Sequence, residues 1–105
     1  MNRQDALPAK RLRQALTVGN IWLYILSLIK SKKEVYAYSL VTDIELKFGF
    51  KPGRVMIYLV LYKLEGEKII ESTFKERRKY YKMTAKGQET LNLAKKYLAA
   101  LAKKL

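Results

Sequence analysis

The sequence predicts a mainly α-helical protein that carries one small β-hairpin. Along most of the 105-residue chain, apolar residues recur at intervals of three and four, which is typical of amphipathic helices. Residues 69–74 and 79–83 are instead rich in β-branched and aromatic side chains, and a short charged segment separates them, as in a hairpin. Half of the residues are hydrophobic and 30% are charged, a balance that excludes disorder and indicates one hydrophobic core.

The N-terminal segment, residues 1–18, is predicted to be a basic arm or a short helix. Pro8 suits the first turn of a helix over residues 8–16, whose apolar stripe is thin. The cations of this segment are Arg3, Lys10, Arg11 and Arg13. A disordered tail is the alternative. Gly19 and Asn20 then interrupt the chain, and Asn20 is expected to cap the helix that follows.

Two further helices are predicted next. Residues 21–29 are apolar almost all round, so this stretch should be a central helix that is packed on more than one side and ends at the cationic loop 30–33. Residues 37–48 should form the second helix, and Gly49 should end it. The predicted core face of the second helix comprises Ala37, Leu40, Val41, Ile44 and Phe48.

A third helix is predicted over residues 53–65, after a turn at residues 50–53. The residues expected to face the core are Ile57, Val60, Leu61 and Leu64. The residues expected on the outer face are Val55, Leu59, Tyr62 and Lys63. The hairpin follows, and Thr84 is expected to cap a final helix over residues 85–105.

Three helices, a two-stranded hairpin and a last helix, in that order, are the elements of a winged helix-turn-helix. In this fold the third helix usually enters the major groove of duplex DNA, and the hairpin, or wing, lies along the phosphate backbone. The sequence therefore predicts a winged helix-turn-helix domain over residues 19–84, with the basic segment before it.

The final helix carries an apolar seam with alternating spacings of three and four, as in a coiled coil. Its members are Leu91, Ala94, Leu98, Leu101 and Leu105. We expect residues 85–105 to be a dimerisation helix that pairs with a second copy of the chain. The alternative is that the seam packs against the domain's own first helix.

The charge balance indicates a polyanionic partner, since 22 Lys and Arg against nine Asp and Glu leave a net charge of +13. The chain has no Cys and no His, which excludes disulfides, thiolate or imidazole metal sites and Ser-His-Asp catalysis. The carboxylates form no convincing catalytic pair and no glycine-rich phosphate loop occurs, so neither an enzyme nor a cofactor is expected. The apolar run 21–29 is too short to cross a bilayer, so we expect a cytoplasmic protein that does not bind membranes.

Three segments resemble the PadR-like winged-helix transcription regulators: residues 50–53 (FKPG), 61–65 (LYKLE) and 78–87 (RKYYKMTAKG). The resemblance spans about residues 21–91. It implies a winged-helix regulator whose terminal helices build a homodimer, in agreement with the seam in the final helix.

Several side chains are candidates for contact with DNA. Arg54 is the one guanidinium on the third helix and could grip a guanine edge, whereas the cations of the wing could contact phosphates. The full candidate set is Ser39, Thr42, Lys51, Arg54, Tyr58, Tyr62, Lys63, Lys75, Arg77, Arg78 and Lys79. The alternatives are ordinary packing for the tyrosines and a solvated turn for the hairpin tip.

The leading hypothesis is a dimeric regulator that binds double-stranded DNA and acts as a repressor by blocking promoter access. A chromatin-like architectural protein that binds DNA without sequence preference is the second hypothesis, and a winged helix that binds RNA or the ribosome is the third. The sequence leaves open whether a small effector binds.

Overall fold

A computed structural model describes residues 6–105, which form five α-helices and a three-stranded sheet. The helices are α1 (Leu7–Leu16), α2 (Ile21–Lys32), α3 (Leu40–Phe48), α4 (Arg54–Gly66) and α5 (Ala85–Lys104). The strands are β1 (Glu34–Tyr36), β2 (Ile70–Lys75) and β3 (Arg78–Met83). The predicted fold class, a mainly helical winged helix with a small sheet, is confirmed.

The sheet has one strand more than predicted. Its antiparallel order is β1-β3-β2, with Val35 opposite Tyr81. The predicted loop at residues 30–33 was wrong in part, because α2 continues to Lys32 before Lys33, with a positive φ of 73°, turns the chain into β1. A strand of three residues is too short to show the alternation by which strands are recognised in a sequence.

The central position of α2 is as predicted. It packs against α3, α4, α5 and the sheet, and Ile25 and Leu26 are completely buried. The other large side chains with almost no exposure are Leu28, Ile29, Leu40, Ile44, Ile57, Leu61 and Ile70. Each such side chain stabilises the fold by about 1.5–3 kcal/mol relative to an exposed position. One core therefore holds the helices and the sheet together.

The connection between α1 and α2 differs from the prediction. Asn20 does not cap α2; its amide donates a hydrogen bond to the carbonyl of Ala15 at 2.6 Å, and its Oδ1 accepts one from the indole of Trp22 at 3.1 Å. The hydroxyl of Tyr24 donates to the carbonyl of Leu16. These bonds fix the end of α1 against the start of α2, although no residue of α1 is buried.

The predicted end of α3 and the predicted start of α5 are confirmed. Gly49 ends α3 with a φ of 82°, a conformation that favours glycine. Thr84 caps α5, because its Oγ1 accepts a hydrogen bond from the backbone N–H of Gly87 at 3.1 Å. At Gly87 the helix passes so close to the chain before β2 that a Cβ would lie 2.1 Å from the carbonyl oxygen of Ile69. This contact sets the base of the β2–β3 hairpin against α5.

One stretch, Leu7–Lys32, is long and apolar enough to cross a membrane by length and hydropathy alone. The fold accounts for this hydropathy differently. The stretch is broken at Thr17, where φ is −107° and ψ is −89°, and its second half, α2, supplies the centre of the core.

Candidate nucleic-acid interface

Helix α4 turns the predicted face to the core. Ile57, Leu61 and Leu64 are buried and Val60 is half-buried, so α4 packs on α2 through one side only. The opposite side is open to solvent. Its exposed members include Val55, Met56, Leu59, Tyr62 and Lys63.

The exposed side of α4 is chemically unusual for a helix that contacts bases. From Val55 to Tyr62 it carries no charged residue, and Val55 and Tyr62 are 74% and 79% exposed. The charges stand at the two ends, Arg54 in the first turn and Lys63 in the last. Lys63 follows Arg54 by nine positions, about 13.5 Å along the axis. Base edges could therefore meet one guanidinium and a largely apolar surface.

Arg54 is held by the turn that precedes α3. Its Nη1 donates a hydrogen bond to the backbone carbonyl of Tyr38 at 3.3 Å, and its guanidinium lies 4.5 Å from the centre of the Tyr38 ring. A cation over an aromatic ring at this distance is attracted by the negative face of the ring. The start of α4 is thereby tied to residues that precede α3.

The Tyr38 ring is the first member of a tyrosine row, which we define as Tyr38, Tyr36 and Tyr80. Tyr36 is stacked on Tyr38 with ring centres 6.1 Å apart, and Tyr80 lies 5.7 Å from Tyr36. The guanidinium of Arg78 lies 5.1 Å from the ring centre of Tyr36. The row therefore leads from Arg54 on α4 to Arg78 on the wing and places both arginines on one side of the molecule.

The row was not predicted. The sequence shows Tyr36 and Tyr38 two positions apart, but Ala37–Ser39 form a 3-10 turn, so the alternation of side chains along a strand does not explain why the two rings stack. The third member depends on the pairing of β1 with β3, in which Tyr36 lies opposite Tyr80. Only a sequence signal for β1 would have allowed the contact between Tyr36 and Tyr80 to be predicted.

The tip of the wing is a two-residue turn. Glu76 and Arg77 join β2 to β3 with positive φ values of 51° and 69°, as in a type I′ turn. Lys75 opposes Arg78 at the last rung of the hairpin. The turn carries the Arg77 side chain at the exposed end of the molecule's wing.

Of the four cations predicted at the wing, two form ion pairs with carboxylates. Lys75 Nζ lies 2.7 Å from Glu34 Oε1, and Lys79 Nζ lies 3.5 Å from Glu65 Oε1, so each forms an ion pair. The hydrogen bond donated by Lys75, together with its charge, lowers the pKa of the Glu34 carboxyl.

The other two cations, Arg77 and Arg78, are exposed, and neither forms an ion pair with any carboxylate in the described part of the chain. Their charges are the ones available to a phosphate.

The remaining candidates are scattered around α4. Ser39 donates a hydrogen bond to the carbonyl of Tyr36 at 3.0 Å and another contact of 3.2 Å joins it to Asp43, so its hydroxyl is engaged within the fold. Thr42, Lys51 and Tyr58 are exposed.

Lys63 lies apart from them, in a groove of about 280 Å³ between α2, α4 and α5. Trp22 and Glu67 also line that groove. The structure therefore separates Lys63 from the surface that Arg54 and the wing share.

The predicted dimer seam divides into two parts. Leu91 is buried in the core of the protomer and Ala94 is half-buried, so the first turns of α5 pack on the domain itself. Leu98 and Leu101 are 37% and 39% exposed, and Leu105 is 96% exposed. The part of the seam open to a partner is therefore its second half.

The basic N-terminal segment is partly described. Lys10 and Arg11 are exposed on α1 and Arg13 is half-buried, whereas Arg3 lies outside the described residues. Helix α1 also exposes Leu7, Leu12 and Leu16, so residues 6–105, the part that the structure describes, leave its apolar stripe uncovered.

A family of regulators matches most of this structure. The family model described as "Transcriptional regulator PadR-like family" matches residues 25–93 of the sequence, which include α3, α4 and the whole sheet. A search among curated proteins finds no match.

Several solved structures have the same fold. A PadR-like transcriptional regulator from Bacillus cereus is 33% identical, with a TM-score of 0.71 over 88% of this chain and 91% of that chain. A PadR family transcription regulator from Clostridium difficile is 26% identical, with a TM-score of 0.73 over 80% of this chain and 92% of that chain. At 16% identity, a winged-helix DNA-binding protein from STIV shares the fold, with a TM-score of 0.69 over 78% of this chain and 89% of that chain.

Proposed function

Because the chain belongs to the PadR-like family of transcriptional regulators, we propose that it is a dimeric regulator that binds double-stranded DNA and represses transcription by occupying an operator. In this proposal α4 enters the major groove and the β2–β3 wing lies along the phosphate backbone. The regulator acts in the cytoplasm and catalyses no reaction. Residues 19–84 bind DNA, residues 85–105 dimerise and residues 1–18 supply a basic arm.

The observation that carries the proposal is the shared placement of Arg54 and Arg78. The tyrosine row connects the start of α4 to Arg78, so a groove contact by α4 and a backbone contact by the wing involve the same side of the molecule. Phosphate contacts would fix the orientation of the protein on DNA, and Arg54 could contact a base edge. The net charge of +13 favours the approach of DNA over any neutral or basic partner.

Dimerisation is supported by two apolar surfaces that the described residues of one copy leave uncovered. The second half of α5 exposes Leu98, Leu101 and Leu105, and α1 exposes Leu7 and Leu12. A second copy of the chain offers matching apolar surfaces, as symmetric dimers do. Two copies of α4 would then address two half-sites about 10–10.5 base pairs apart.

Selection of bound duplexes from a random pool tests the proposal. A dimeric regulator should enrich a palindromic site with that half-site spacing, and the affinity for the site should exceed that for random DNA about a thousandfold or more. Enrichment of no sequence, or of a single half-site without symmetry, would contradict it. Leaving the full chain intact keeps both the basic arm and the dimer helix in the test.

The apolar outer face of α4 favours one other function, that of an architectural protein. With Arg54 as the one guanidinium on this helix, the contacts that distinguish bases are few, while the wing and the many lysines bind any phosphate backbone. Such a protein would bind unrelated duplexes within a few-fold of each other and with a steep dependence on salt. The same titrations with structured RNA decide whether RNA, rather than DNA, is the preferred polyanion.

A further inference from the structure

An arginine at the exposed start of a helix is poorly suited, by itself, to contact one base pair. Arg54 is exposed, and its long side chain has about 2 kcal/mol of rotamer entropy to lose when it is held in one orientation. A bidentate contact with a guanine edge needs that one orientation. A neighbour that fixes the guanidinium before DNA arrives would reduce this cost.

Tyr38 supplies two restraints of different kinds. Its backbone carbonyl accepts a hydrogen bond from Nη1 of Arg54 at 3.3 Å, and its ring lies 4.5 Å from the centre of the guanidinium. The carbonyl restrains one edge of the guanidinium, and the ring restrains the plane of the guanidinium. A guanidinium has five N–H donors, so several remain for a base edge or a phosphate.

Besides Arg54 of α4, the Tyr38 ring contacts the sheet. Its ring is inclined by 29° to that of Tyr36, which belongs to β1, and Tyr36 lies opposite Tyr80 of β3. Tyr38 is 60% exposed, so its ring adds little to the core. The Tyr38 side chain is stacked on two sides but lies largely outside the core, so its contacts serve to orient Arg54 more than to stabilise the fold.

We propose that Tyr38 is the positioning residue of Arg54 and increases the preference of this protein for the base pair that Arg54 contacts, without contacting a base itself. The proposal rests on the proposed function, since it assigns a task to a residue at the same DNA-binding surface. Through the tyrosine row, the orientation of Arg54 is coupled to the sheet that carries the wing.

A double-mutant cycle tests the proposal. The variants are Tyr38→Ala, Tyr38→Phe, Arg54→Ala and the double variant Tyr38→Ala with Arg54→Ala. Two quantities are measured: the affinity for the selected duplex itself, and the ratio of that affinity to the affinity for the same duplex changed at the one base pair whose preference Arg54→Ala abolishes. Leu46→Ala removes another exposed large side chain, on α3, and serves as the control.

Tyr38→Ala should lower that ratio about two- to fivefold, the factor expected for loss of an exposed cation–π contact. Tyr38→Phe, which keeps the ring and the carbonyl, should restore it. In the Arg54→Ala background, Tyr38→Ala should change nothing further. The thermal midpoint of each variant shows whether it is folded, and Tyr38→Leu replaces Tyr38→Ala should the latter unfold.

Three results would overturn the proposal. Equal losses of affinity for the selected duplex from Tyr38→Ala with and without Arg54 would mean that Tyr38 contacts DNA directly. A loss in Tyr38→Phe as large as in Tyr38→Ala would assign the effect to the phenol hydroxyl. An unchanged ratio in Tyr38→Ala would leave Arg54 positioned by other means. A wild-type protein without any base preference would instead refute the proposed function.

Discussion

Replacing Arg77 and Arg78 together by Gln should weaken binding to every duplex and reduce its dependence on salt. The size of the effect follows from the ion pairs of the wing. Lys75 and Lys79 are already paired with Glu34 and Glu65, at 2.7 and 3.5 Å, so two of the four cations are available to phosphates.

Each lost phosphate contact lowers the slope of log affinity against log salt by about 0.9, so the double variant should lose about 1.8 per protomer. Between about 50 and 200 mM salt, that difference amounts to roughly tenfold in affinity per protomer. Titration of a fluorescently labelled duplex at several salt concentrations measures the slope, and far-UV circular dichroism shows that the variant is folded.

The matched control is Lys103→Gln with Lys104→Gln, which removes the same formal charge from the last turn of α5. Helix α5 is about 30 Å long, so these lysines are far from the hairpin. The control should leave the slope nearly unchanged. An equal loss of slope in both double variants would show that net charge, and not contact by the wing, drives binding; an unchanged slope in the arginine variant would make the hairpin a solvated turn.

Four other outcomes are expected. Leu98→Asp should shift the mass measured by light scattering from dimer to monomer, and an unchanged dimer would remove α5 from the interface. Gly87→Ala should lower the free energy of unfolding by about 1–3 kcal/mol in urea titrations, because the new Cβ meets the carbonyl of Ile69 at 2.1 Å. Lys75 lowers the pKa of Glu34 in the folded state, so the ion pair stabilises the fold above the ordinary carboxyl pKa of 4.5, and this stabilisation is lost as the pH falls through the lowered value. The urea midpoints of wild type and Glu34→Gln should therefore converge on acidification. A constant difference between the two midpoints would contradict this. Replacing thymine by deoxyuridine in the selected site should weaken binding about fourfold for each methyl group buried against the apolar face of α4, and equal affinities would show that this face does not contact thymine.

The helices and their buried faces could be predicted because their signals are local. Ile57, Leu61 and Leu64 follow the helical period, and the structure buries all three. Thr84 and Gly49 mark helix boundaries through side-chain and backbone chemistry that acts within a few residues. The short strand β1 escaped prediction because its stability comes from pairing with β3, almost fifty residues later, and not from its own three residues.

The residues of the candidate site could likewise be predicted from the sequence, but their contacts could not. The sequence supplied the set of cations and the tyrosines beside them, but not their partners. Lys75 is 41 residues from Glu34 in the chain, and the sheet brings them together. Pairing withdraws the charge of Lys75 from the wing and leaves that of Arg78, although the two residues look alike in the sequence.

The sequence by itself determined the net charge of +13, the order of the helices and the hairpin, and the faces that α3 and α4 bury, since these depend on residue type and on spacing over one or two turns. The tertiary structure alone decided which cations stay free, how Arg54 is held by Tyr38, and where the seam of α5 leaves the core. These features arise from contacts between residues distant in the chain, and such contacts depend on strand register and helix packing, which no local pattern specifies.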